Sequence, residues 1–429
     1  MTGQPDAIGP GVILIGTLDT KGREYAFVRD RLRDAGVPVT MIDVGVLGDP
    51  PFSPDVSSAE VASAAGVALE DLRFASEGSD TRAVALAAMG RGAQAIVRDL
   101  FDAGLVAGVM GLGGSGGSTV VSEVLRSLPV GVPKLLVSTL ASGDVRTFVG
   151  TSDLTLVHPV TDVAGLNRVS RRVLANAANA MAGMVRFGAD GEHGDAPLVA
   201  ITMFGVTTPG VLAIQAGLEA MGFETIVFHA VGSGGRAMEE MIDAGLIDAV
   251  VDVTTSELTD ELLGGAFPGG PHRLTAAGRR GIPQVVVPGA MEVLNFGPRA
   301  TVPAHLDVPE RRIVIHNPSV CAVRTNAEES ARLGTLLADK VNAATGPSAV
   351  VLPLDGLSKY ELPGGPFRDL DADAALFAAI RATLRPGIVL REVAANVNDA
   401  AFAAAVLDVF RERWTSVRPL PDPVAEESR

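Results

Sequence analysis

The chain of 429 residues has one cysteine, Cys321. An internal disulfide is therefore excluded, and the composition fits a reducing compartment. Aromatic residues are scarce at 4%, so a core has to be assembled from Ala, Val, Leu and Ile. The net charge is −15 and no basic cluster interrupts it. A nucleic-acid partner would demand a positive footprint, so none is expected. No apolar run approaches the roughly 20 residues of a membrane span. The first residues carry no basic stretch followed by an apolar one, so a signal peptide is not expected. A cytoplasmic location without a membrane partner is the expectation. Metal-ligand spacings are missing as well. The sequence has no H-E-x-x-H, no paired C-x-x-C and no EF-hand loop, and no metal site is expected. No G-x-S-x-G nucleophile elbow occurs either.

Hydrophobic residues make up 47% of the chain, ample for burial. The length exceeds one ordinary core and points to two domains. Short apolar runs alternate with longer helical patterns. Strands are predicted over 12–16, 37–44, 106–110 and 134–138, and helices over 21–35, 81–103, 118–128 and 162–186. After a polar, glycine-containing stretch at 187–196 the pattern restarts at Leu198. Further strands are predicted over 224–229, 249–253, 283–287, 312–315, 349–352 and 388–392, with a last helix over 399–414. Continuous apolar runs suit strands covered on both faces, as in a parallel sheet. The alternation predicts an α/β protein of two Rossmann-like, doubly wound domains facing a central cleft. The expected domains are 1–190 and 197–415, with a disordered tail at 416–429.

Residues 106–120 carry the strongest motif. An apolar strand feeds the cluster Gly111-Leu112-Gly113-Gly114-Ser115-Gly116-Gly117, and a helical pattern follows at once. Strand, glycine loop and helix together aim backbone N–H groups and a helix N-terminus at an anion. Glycines also allow close approach and positive φ. The spacing fits G-x-G-x-x-G at Gly111, Gly113 and Gly116. It is not a Walker A loop, because no Lys-Ser/Thr pair ends it. The next strand closes on Ser138-Thr139 rather than on a ribose-binding carboxylate. Gly113, Gly114, Ser115, Gly116, Gly117 and Ser118 are thus candidates to cradle a phosphate. Two other polar loops close strands of the same half. Thr17, Asp19, Thr20 and Lys21 follow the first strand, and Thr139, Ser142 and Gly143 follow the fourth. The plainer reading of these loops is helix capping and turn chemistry.

The second half echoes the first. Thr207-Thr208-Pro209 closes its first strand, and a second glycine turn, Val231-Gly232-Ser233-Gly234-Gly235-Arg236, lies between strand and helix. Thr207, Thr208, Gly234, Gly235 and Arg236 are candidates to bind a small anionic ligand. His229, Glu292 and His316 each lie at or just beyond a predicted strand and are the candidate acid/base residues. A lone histidine is more often structural. Symmetric homo-oligomers are common, and one is the expected state here.

The runs GTLDTKGREYAF, GVMGLGGSGGS, VGTSDLTL, VFHAVGSGGRAME and LPLDGLSKYELPGGPF resemble the family of the N-terminal domain of the tomato mosaic virus resistance protein, which has stand-alone microbial homologues. The likeness extends over about residues 11–412. It implies two Rossmann-like subdomains and ATP as ligand, with or without Mg²⁺, held by the loops at 16–21, 113–118 and 138–144. It also implies a TIM-barrel protein as partner, since the plant protein continues into such a domain. The chain departs from the family pattern at Gly210, Glu361 and Asn396, where a cysteine, an aspartate and a histidine are usual. Two other readings remain open beside nucleotide binding. One is an enzyme converting a small carboxylate or phosphorylated metabolite. The other is an ATP-regulated interaction module.

Overall fold

The computed structural model describes residues 9–75, 79–188 and 196–421. Parts of the expected linker (189–195) and tail (422–429) lie outside the described residues. The chain forms two compact units, Met1–Glu192 and His193–Arg429. No described helix is long and apolar enough to cross a membrane.

The first unit has five parallel strands, β1 (Gly11–Gly16), β2 (Val39–Asp43), β3 (Val106–Gly113), β4 (Lys134–Ser138) and β5 (Thr155–Val157), in the order β2-β1-β3-β4-β5. Its helices are α1 (Leu18–Asp34), α2 (Ser58–Ala64), α3 (Leu69–Ala75), α4 (Ser79–Asp102), α5 (Ser115–Arg126), α6 (Arg146–Val149) and α7 (Arg168–Arg186). Alternate residues of β1 serve opposite faces. Ile13 and Ile15 pack with α2 to α5, whereas Val12 and Leu14 pack with α1 and α7. Cover on both faces is why the strands read as unbroken apolar runs. The helix expected over 162–186 begins later. Asn167 accepts the N–H groups of Val169 and Ser170 and starts α7, as N-cap residues do.

The second unit has six parallel strands, β6 (Leu198–Met203), β7 (Glu224–His229), β8 (Ala249–Thr254), β9 (Gln284–Gly289), β13 (Ser348–Pro353) and β14 (Val389–Val393). Their order is β14-β13-β9-β8-β6-β7. A separate antiparallel sheet, β10-β12-β11, is made by β10 (Val293–Phe296), β11 (Ile313–Asn317) and β12 (Val320–Arg324). The helices are α8 (Thr208–Ala220), α9 (Ser233–Asp243), α10 (Ser256–Leu263), α11 (Ala276–Arg280), α12 (Ala327–Asn342), α13 (Leu370–Thr383) and α14 (Ala400–Thr415). One face packs on α8 and α14 around Phe402, Phe410 and Trp414. The other packs on α9 to α13. Read from the edge, both parallel sheets run second strand, first, third, fourth, fifth, and the second unit's adds a sixth. Each unit therefore has a doubly wound order. The segment expected as a strand over 312–315 is a strand, but it belongs to the antiparallel sheet, half-exposed and paired with β12.

Candidate functional site

A doubly wound sheet opens a crevice where its strand order reverses, because the loops on either side leave in opposite directions. In the first unit that point lies between β1 and β3. Tyr25 of α1 fills the gap beneath it. Its hydroxyl lies 2.6 Å from the Ile15 carbonyl and 2.8 Å from the Leu112 carbonyl, and accepts the Leu112 N–H at 2.8 Å. Burial raises the pKa of this phenol. A Cβ at Gly16 would stand 1.8 Å from the same hydroxyl, so position 16 has no room for a side chain. Gly111 plays the matching part on β3, where a Cβ would come within 2.5 Å of Val121 on α5.

Above the crevice lies a cavity of about 340 Å³. The turn after β1 contributes Thr17, Asp19, Thr20 and Lys21, and the loop after β2 contributes Val44, Val46 and Leu47. The start of α5 contributes Gly114, Ser115, Gly116 and Gly117, and Arg82, Leu86 and Asp162 complete the wall. Gly114 is the N-cap of α5, and no side chain of a described residue caps the helix there. The N–H groups of the first turn are thus left for water or a ligand. The loop glycines do not adopt positive φ; Gly114 is extended at φ −84°, ψ −159°. What they supply is space. A Cβ at Gly116 would meet nothing nearer than Arg82 Nη2 at 3.5 Å, which also places a guanidinium beside the helix N-terminus.

The β1 turn is held rigidly. Asp19 accepts the N–H of Thr20 at 2.7 Å and of Leu47 at 2.8 Å, joining the turns after β1 and β2. Thr20 Oγ1 donates to Thr17 Oγ1 at 3.0 Å. Lys21 leaves helical geometry (φ −126°, ψ 19°) and its ammonium donates to the Val163 carbonyl. Asp43, at the end of β2, accepts the Leu18 and Gly45 N–H groups at 3.0 and 2.9 Å. Burial raises its pKa.

Five of the expected cradle residues do not line the cavity. Ser118 is buried, with its hydroxyl 2.7 Å from that of Ser138. Gly113 ends β3, and its carbonyl accepts the Thr139 N–H at 3.2 Å. Ser142 and Gly143 are exposed in a turn. The Thr139 hydroxyl lies near Gly114 but outside the lining, 3.8 Å from where a Cβ would stand. Conversely, sequence reading missed Arg82, Leu86 and Asp162, which no local motif marks.

The glycine turn of the second unit is arranged differently from that of the first. It follows β7, the edge strand, and not the strand at the reversal point. Two of its N–H groups are already engaged. Glu257 accepts the N–H of Gly232 at 2.6 Å and of Gly235 at 3.1 Å. A Cβ at Gly235 would fall 2.0 Å from Glu257, and one at Gly234 1.9 Å from the His229 carbonyl. Glu257 in turn accepts from Arg273 Nε at 2.7 Å, and Arg273 forks onto Asp252 at 2.5 and 2.7 Å. All of these side chains are buried. The turn therefore holds a carboxylate of the protein's own. Arg236 is exposed and donates to the Pro268 carbonyl at 3.0 Å. The Thr207 and Thr208 hydroxyls close the β6 turn on the Phe204 carbonyl, each at 3.1 Å.

His229 and His316 face one cavity. This second cavity, of about 280 Å³, has Phe204, Val231, Phe267, Asn295 and Tyr360 among its walls. His316 Nδ1 is 3.2 Å from the Tyr360 hydroxyl. Glu292 does not line it. It is 1% exposed, and neither carboxylate oxygen has a hydrogen-bond partner among the described residues. Burial pushes its pKa up to about 7, against the pull of the Arg324 charge. Arg324 itself bonds Glu361 at 2.7 Å and Asp373 at 2.5 Å. Glu361 and Asn396 pack together around Gly356, and Gly210 packs on the Val397 backbone. Two of the three departures from the family pattern thus share one packing site, and the third borders the chain just beyond it. Among the described residues no group of three or more His, Cys, Asp or Glu is placed to hold a metal ion.

These features define a two-domain α/β protein with a polar cavity at the strand-order reversal of its first sheet. The chain belongs to the uncharacterised protein family UPF0261. Residues 10–190 match the family's N-terminal domain and residues 196–414 its C-terminal domain. A UPF0261 protein of Clostridium tetani is 42% identical over 92% of this chain and 96% of its own length. A UPF0261 protein of Mesorhizobium japonicum is 40% identical over 93% of this chain and 99% of its own length. The ToMV resistance protein Tm-1(GCR237) of Solanum lycopersicum is 37% identical over 94% of this chain but 56% of its own length. The resemblance read from the motifs is therefore a family relationship.

Proposed function

We propose that the first domain binds a nucleotide by its phosphates, with ATP as the expected ligand. One observation carries this reading. The uncapped N-terminus of α5 opens onto a cavity at the sheet's reversal point, which Lys21 and Arg82 also line. Helix N-termini and backbone N–H clusters favour phosphate at such positions. The glycines at 114, 116 and 117 keep the approach to those N–H groups open. Thr17 and Thr20 offer hydroxyls at the rim. Asp19 and Asp162 are the carboxylates facing the cavity, and they would accompany Mg²⁺ arriving with a triphosphate.

Isothermal titration of ATP, ADP, AMP, NAD and inorganic phosphate into the protein, with and without Mg²⁺, tests the proposal. ATP binding that weakens from ATP to AMP is the expected result. Heat from no nucleotide at millimolar concentration would remove the reading.

A further inference from the structure

The second cavity lies wholly within the second unit, at the carboxyl ends of β6 and β7 and against the antiparallel sheet. Its chemistry differs from that of the first. Among the described residues no Lys, Arg, Asp or Glu lines it. Phe204, Val231, Phe267 and Val320 give it apolar walls. Polar groups are few and held in place. His316 and Tyr360 form one hydrogen-bonded pair at 3.2 Å. Asn295 is fixed by the buried Asp260, which accepts its backbone N–H at 2.8 Å and its side-chain N–H at 3.1 Å. The His229 ring stands tilted beside the Phe204 ring, with centroids 5.7 Å apart.

We propose that this cavity is a separate binding site for a small, uncharged, ring-bearing molecule with one hydroxyl or carbonyl group, which meets the His316–Tyr360 pair. The apolar walls accept a ring, and convergent polar groups in an apolar pocket fix its orientation. A strongly anionic ligand finds no lysine or arginine in the lining, and the nearby Lys359 ammonium lies over the Tyr360 ring, 5.8 Å from its centroid. The carboxylate of Glu292 lies close enough that, with burial, it raises the pKa of Tyr360. This site is independent of the nucleotide reading, because its walls include no residue of the first unit.

The test is NMR of the histidine rings in the full chain, titrated with 4-methylphenol and, in parallel, with benzoate. The chain has six histidines, and His229→Gln and His316→Gln identify the two of interest. The expected result is a saturable shift of both ring signals by 4-methylphenol, the other four staying still. Benzoate should bind at least tenfold more weakly. Val320→Trp, or Ala322→Leu if the first variant misfolds, should fill the cavity and weaken the response at least tenfold. Absence of a saturable shift at either histidine overturns the proposal. So do shifts that persist in both filled variants, or benzoate binding as tightly as 4-methylphenol.

Discussion

Replacing Gly114 with aspartate tests the proposed anion site separately from the fold. Position 114 is extended, and a Cβ there would meet nothing nearer than Thr139 Oγ1 at 3.8 Å. Gly114→Asp is therefore free of steric cost. An aspartate at an N-cap accepts the N–H of the second or third helical residue, here Gly116 or Gly117. Asp and Gly differ at this position by a few tenths of a kcal/mol, in favour of Asp. Stability should hold or rise slightly. Binding should respond very differently, because the new carboxylate occupies the donors that a phosphate would use. A unit charge about 5 Å from a phosphate charge, at an effective dielectric of about 20, costs about 3 kcal/mol. That is roughly a hundredfold in Kd. Titration calorimetry with ATP reads the binding, and urea denaturation of the same preparations reads the stability. If the variant binds ATP within about threefold of the parent, the phosphates are not on α5. If it loses about 1 kcal/mol of stability or more, the glycine is there for packing, and the cavity argument loses its support.

Tyr25→Phe removes the hydroxyl that joins Ile15 and Leu112; a buried N–H left bare costs about 1–3 kcal/mol, readable as a lower urea midpoint, and an unchanged midpoint contradicts that bracing role. Glu257→Ala vacates the second glycine turn and leaves Arg273 short of one carboxylate. Breaking such a buried pair costs about 3–5 kcal/mol, and sulfate should restore melting temperature more than chloride at equal ionic strength, whereas equal effects of the two salts refute an opened anion site. Glu292 has its pKa raised to about 7 from 4.5, so its stabilising effect is full below about pH 4.5 and is lost as pH climbs through 7. Asp260, raised to about 7 from 3.8 by burial, has the same sign. Between pH 5 and 8 the protein should lose stability on the order of 2 kcal/mol or more, and Glu292→Gln should remove a large part of that loss. Equal losses in parent and variant count against a neutral Glu292 at low pH.

The parallel strands were legible because burial on both faces leaves them no polar residues to disguise the run, as in Val12 to Ile15. Of the antiparallel sheet only β11 was. β10 places Asn295 inside an otherwise apolar stretch and β12 ends on the buried Arg324, and what satisfies those groups, Asp260 for one and Glu361 with Asp373 for the other, lies far away in sequence. The same limit governs the cavities. Thr17 to Lys21 and Gly114 to Gly117 announce themselves as polar loops at strand ends. Arg82 sits on a long alanine-rich helix, where nothing local marks it as a neighbour of Gly116. The two glycine turns make the point most sharply. Both read as strand, glycines and helix, and both present backbone N–H groups at a helix start. Their difference is an acid 25 positions from Gly232, Glu257, which fills one turn from within, while no described side chain caps the other. A glycine turn in sequence therefore reports a place for an anion but not whose anion it is. The surrounding fold fills the second turn with the protein's own carboxylate and leaves the first open to the ligand we propose, and the Gly114→Asp and Glu257→Ala variants exchange those two situations experimentally.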